Sequence, residues 1–113
     1  MEWVNIISNT DSVIHDICIK NSCLVVDVLL WNGEIKRLKF LDYSCFKDMG
    51  SIGGEIGDVK VGTESLLLDE LKQNILNGDG TLDEIANVKS IVFYHAWNET
   101  VLLEVLADKM EFD

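Results

Sequence analysis

The sequence predicts an α+β fold: a mainly antiparallel, curved β-sheet of about six strands with one main helix packed on it. Three observations carry this. Apolar, β-branched runs with short periods fill residues 13–41 and return near the C-terminal end. Asn32-Gly33 separates two such runs, which is a hairpin signal. One stretch, residues 64–77, carries a helical apolar stripe.

The elements follow in chain order. "VIHDICIKN" alternates, placing Ile14, Asp16, Cys18 and Lys20 on one face and His15, Ile17 and Ile19 on the other. A turn at Lys20-Asn21-Ser22 leads into "SCLVVDVLLW", a well-buried strand. A two-residue type I′ turn at Asn32-Gly33 then pairs Trp31 with Glu34, Val28 with Arg37 and Val25 with Phe40. The result is a three-stranded meander over residues 12–41. Beyond it, Asp42 or Ser44 could cap a short helix ending at Gly50, and Gly53-Gly54 makes a turn. "EIGDVKVG" reads as a short strand. The main helix takes Thr63 as N-cap and Glu64 at its positive end. Leu67, Leu68, Leu71 and Ile75 form its stripe, and Gly78 is its C-terminal stop. "VKSIVFYHAW" and "TVLLEVLA" are two more strands joined at Asn98-Glu99, the first apolar on both faces and so central.

"NGDGTLDE", residues 77–84, resembles part of a calcium loop. With Gly80 at the sixth position of an EF-hand, Asp79 and Asn77 fall on ligand positions. However, Ile75 then stands first and Ala86 last, so two ligands are missing and a strand follows where a helix is needed. A helix stop and turn accounts for the glycines. The other candidate chemistries are as poorly supported. His15 and Asp16 are strand neighbours on opposite faces, and His95 reads as a partnered core residue. Cys18, Cys23 and Cys45 are an odd number without a CxxC pair, which reads as reduced thiols. Their spacing with two histidines fits no zinc pattern, and "GSIGGEIG" lacks the lysine of a phosphate loop. No cofactor and no metal is expected.

The 113 residues suit a single domain over 1–113, large enough to bury a core without staples. No apolar run reaches the roughly 18 residues of a membrane span, and the N-terminus has no basic region of a signal peptide. A cytoplasmic location is expected. Charge is the strongest global signal: twenty acidic against nine basic residues give −11. About 2–8 suffices for the solubility of a small domain. Residues 1–41 hold five acids and four bases; residues 42–113 hold fifteen acids and five bases. Such a chain repels phosphate backbones, so no direct nucleic-acid binding is expected, and it attracts and steers a basic protein partner. The candidate partner-binding residues are Asp42, Asp48, Glu55, Asp58, Asp69, Glu70, Asp79, Asp83 and Glu84, with Tyr43 and Phe46 as aromatic anchors.

Small size, acidity, the antiparallel meander with one helix and the lack of a catalytic constellation resemble bacterial immunity proteins. The resemblance implies binding and neutralisation of a cognate toxin domain, often a nuclease, whose basic cleft the carboxylates would match. It implies a binding protein and not an enzyme. Two alternatives stay open: a small enzyme or ligand-binding domain with a pocket in the curved sheet, and an adaptor subunit contacting a larger complex through Trp3 and Trp31.

Overall fold

The β-branched runs become strands, and two segments without a strand pattern join them. A computed structural model describes residues 2–8 and 11–113. Its elements are α1 (Glu2–Ser8), β1 (Val13–Lys20), β2 (Cys23–Leu29), β3 (Ile35–Leu41), β4 (Cys45–Asp48), β5 (Ile56–Gly62), α2 (Leu66–Asn77), a 3-10 turn (Leu82–Ile85), β6 (Lys89–His95), β7 (Val101–Ala107) and β8 (Lys109–Phe112). The strands form two antiparallel sheets, β1-β2-β3-β8 and β4-β7-β6-β5. The expected α+β class and antiparallel pairing are present, with eight strands instead of about six. Among the described residues, no helix is long and apolar enough to cross a membrane.

The inner faces of both sheets share one apolar core. The first sheet contributes Leu24, Val26, Val28, Leu38 and Phe40, and the second Val59, Ile91, Phe93, Leu103 and Val105. Trp3 and Ile7 of α1 close this core, Trp3 lying 6.5 Å from Phe93 between ring centroids. A buried Ser12 hydroxyl donates to the Ile7 carbonyl at 2.7 Å and ties α1 to the start of β1. Trp3 and Ile7 are four residues apart and so share one helix face.

The strands differ from expectation at several points, two of them in register. At His15 a bulge inserts one residue: Ile14 pairs Val28 and Asp16 pairs Asp27. The extra residue shifts the alternation, so Ile14 joins Ile17 and Ile19 on the inner face and Asp16, Cys18 and Lys20 face outward. In the second hairpin Val28 pairs Lys36 and Val25 pairs Lys39, one residue from the expected register. The loop has three residues, closed by Leu30 N–H donating to the Glu34 carbonyl at 2.8 Å, with Gly33 at φ +88°. This register sets Val26 against Leu38 and Leu24 against Phe40, all buried; the two-residue turn would have set Lys39 and Arg37 against Val26 and Val28. The type I′ geometry occurs instead in the first hairpin, where Asn21 and Ser22 have φ +52° and +64°. Ser22 carries a Cβ in a conformation suited to glycine. Ser22→Gly is expected to raise unfolding free energy by about 1 kcal/mol, read from the midpoint of urea unfolding.

The third difference is β4. Residues 45–48 are a strand, not a helix, because Cys45 through Asp48 pair with Leu106 through Leu103 of β7. The β8 strand, for which the sequence has no separate signal, pairs with β3 from Leu38↔Phe112 to Leu41↔Lys109.

α2 lies on the outer face of the second sheet. Leu68 is its buried residue, and that face of the sheet buries Ser90 and Leu106. The cap is Ser65 and not Thr63: its side chain accepts the Leu68 N–H at 3.0 Å. β5 runs to Gly62, so the chain needs the intervening residues to turn before the helix starts.

Candidate partner-binding surface

Charge is divided unequally between the faces. On the outer face of the first sheet, strand alternation places Asp16, Lys20, Asp27, Arg37, Lys39, Lys109, Glu111 and Asp113, four acids and four bases. Four of them pair: Arg37 donates to Asp27 through Nε at 2.8 Å and Nη2 at 3.2 Å, and Lys39 lies 3.9 Å from Asp113. The net excess of eleven negative charges therefore belongs to the rest of the molecule.

Much of it lies on α2 and the chain that follows. Residues 63–88 carry six carboxylates and one lysine, Lys72. α2 packs against the 3-10 turn, and both elements line a depression with Leu68, Lys72, Asp83 and Ile85. Asp69, Glu70, Asp79, Asp83 and Glu84 are all exposed on this layer. Glu64, just before the N-cap Ser65, extends it.

The geometry of "NGDGTLDE" is a helix terminus. Gly78 is the C-cap, with φ −92°. The left-handed residue is Asp79, at φ +62°. Gly80 N–H donates to the Ile75 carbonyl at 2.8 Å and Asp79 N–H to the Leu76 carbonyl at 3.2 Å. These are the two bonds of a Schellman motif. Gly80 is required by proximity, since a Cβ there would lie 2.8 Å from Ile75 Cγ2. Asp79 is poorly suited to its position on two counts: it has a Cβ in the left-handed region, and its charge faces the negative end of the helix dipole. Asp79→Gly is expected to stabilise the fold by about 1 kcal/mol. If Asp79 serves the binding surface, the same variant also slows association with a basic partner; calorimetry and association kinetics read the two effects separately.

The other predicted residues lie apart from this layer. Asp42, at φ +48°, turns the chain between β3 and β4. Asp58 faces outward from β5 opposite Tyr94, and its carboxylate accepts the Val59 N–H at 2.8 Å. Glu55 accepts the Trp97 indole N–H at 2.9 Å. Tyr43 and Phe46 meet edge to face at 5.7 Å and pack against the core, so they support the β3–β4 connection and do not stand free. Asp48 ends β4, where the Ser51 backbone N–H donates to its carboxylate at 2.8 Å and holds its pKa below the ordinary value. A carboxyl whose pKa is depressed on folding stabilises fully above its unfolded pKa, about 3.9, and loses that contribution as pH falls through the folded value. Asp48→Asn is therefore expected to lower the melting temperature at pH 7 and to cost less at pH 3.

Histidines and cysteines occupy structural positions. His15 is the exposed bulge residue. His95 Nδ1 accepts the Trp97 N–H at 3.1 Å. The three cysteines are free thiols, and among the described residues no three metal-ligating side chains gather.

One feature of the surface lay outside the sequence reading. Beside the first turn of α2, a groove of about 300 Å3 is lined by Met49, Leu66 and Val101, with Lys47, Glu70 and Glu104 around them. Leu66 is 82% exposed. Its signal was present: the stripe uses Leu67 and Leu68, which leaves Leu66 pointing elsewhere. Comparison of the chain with family models, with curated proteins and with solved structures returned no match.

Proposed function

We propose that this protein captures a basic protein domain through the acidic layer of α2 and the turn after it, as immunity proteins neutralise toxins. One observation carries the reading. The outer face of the first sheet is balanced, whereas residues 63–88 set six carboxylates against one lysine on packed, exposed elements. A nuclease toxin must present a basic cleft to hold its substrate, and a carboxylate layer can occupy that cleft and exclude the nucleic acid. Attraction at long range brings the partners together quickly, which suits a protein that must act before the toxin does.

The experiment is co-expression with a toxin domain encoded beside this chain. Growth is expected to be restored and the two proteins to copurify. Continued growth arrest, with both proteins made and no complex recovered, would remove the proposal. A second reading has one observation of its own: Trp31, at the tip of the β2–β3 loop, is 72% exposed. This favours a docking contact within a larger complex. Trp3 plays no part in it, being buried in the core.

A further inference from the structure

The groove beside α2 combines an unused apolar wall with unpaired negative charge. Leu66, Met49 and Val101 are 82%, 56% and 38% exposed and meet in this one depression. A first-turn leucine this exposed covers nothing in its own chain. Glu104 is half-buried at the groove's edge, and its orientation is held by the Ser90 hydroxyl, which donates to Oε2 at 2.6 Å. Ser90 itself is 2% exposed, so this is a fixed support. Glu70 projects from α2 toward the same place. Both carboxylates line this one groove; burial pushes the Cys45 thiol pKa up, and their charges add to that shift. Lys47 stands opposite Glu104 on β4, yet no ion pair joins it to Glu104 or Glu70 among the described residues. Lys60, the neighbouring cation on this face, lies over the Tyr94 ring at 5.2 Å.

The matching chemistry is a side chain with an apolar stem and a cationic head. We infer that the groove receives an arginine side chain of a basic partner, its stem on Leu66, Met49 and Val101 and its guanidinium at Glu70 and Glu104. Arginine fits better than lysine because its planar fork can donate to a carboxylate through two parallel bonds, and because its weakly hydrated head tolerates an apolar wall. The inference rests on the reading of the protein as a binder of basic domains and names the contact at which specificity would be set.

The test uses the full chain labelled at its methyl groups and, with nitrogen-15, at its backbone amides, observed by NMR at low salt. The probes are acetyl-Gly-Arg-Gly-amide, its lysine counterpart and hexalysine. The arginine peptide is expected to shift the Met49, Leu66 and Val101 methyl signals saturably and to bind about threefold more tightly than the lysine peptide. Glu70→Gln and Glu104→Gln are each expected to weaken it about fivefold. Glu70 is exposed, so its variant cannot be dismissed as unfolded. Shifts that grow linearly without saturating, or variants that bind as well as the parent, overturn the groove assignment. If that happens while hexalysine still perturbs Asp69, Asp79, Asp83 and Glu84, the acidic-layer reading survives alone. If hexalysine perturbs nothing, both fall.

Discussion

Replacing Asp69, Glu70, Asp79, Asp83 and Glu84 together by lysine is expected to slow association with the basic partner about a hundredfold at low salt. The change turns a layer of six carboxylates and one lysine into one of six lysines and one carboxylate. Favourable steering can lift association to about 10⁸ M⁻¹s⁻¹, while a neutral encounter proceeds at about 10⁵–10⁶ M⁻¹s⁻¹. Screening sets the second half of the expectation. At 0.1 M salt exposed charges further apart than about 10 Å are largely screened from each other, so the difference between parent and variant should shrink steeply as salt rises. Stopped-flow association across a salt series measures both. The altered side chains are exposed, so circular dichroism should show the fold intact. Reversing Asp16 and Asp113 on the balanced face supplies the control and should change the rate far less. An on-rate untouched by the fivefold reversal places the interface elsewhere and leaves the acidic layer without its role.

Phe93→Ala is expected to cost about 3–5 kcal/mol of stability. Phe93 is fully buried on the central strand β6, between Val59 on β5 and Leu103 on β7, and close to Trp3 of α1. Few residues touch so many elements of the fold. A domain of this size holds about 5–15 kcal/mol in all, so the substitution removes about a fifth or more and lowers the melting temperature by about 15 °C. Urea unfolding reads the effect as a lower midpoint with an unchanged slope. A loss below about 1 kcal/mol would mean that the two sheets and α1 do not share one core. Leu66→Ala is the useful contrast. At 82% exposure it should leave stability within about 0.5 kcal/mol of the parent while weakening the groove contact.

These two expectations separate what the acidic layer does from what holds it in place. Asp79 links them, because it occupies a left-handed position at the end of α2 that glycine would fill at lower cost. A residue kept where it destabilises is informative when it also belongs to the surface under discussion. Asp42 and Glu99 share the left-handed backbone, with φ +48° and +56° in exposed turns, but stand outside that layer.

The sequence showed the acidic layer more clearly than the groove. Asp69 through Glu84 follow one another along the chain, so a helix and a turn suffice to bring them together. Glu70 and Glu104 are brought near Cys45 only because α2 settles on β7 and β4, and no local pattern encodes that. Tyr43 and Phe46 looked like anchors because they follow a meander in a polar loop. They serve the core because β4 pairs with β7 and turns Phe46 inward beside Val105.

By itself the sequence determined the meander, the central strand β6, helix α2 with its stop, and the excess of negative charge. Each depends on neighbours within one turn or one strand, where side-chain period and turn chemistry act directly. The tertiary structure alone decided the strand state of residues 45–48, the pairing of β3 with β8, the burial of Trp3 and the one-residue registers at His15 and Gly33. Those were settled by which apolar faces could meet across the molecule, and that choice overrides local propensity because burying Phe40, Phe93 and Leu103 together is worth more than any cap or turn.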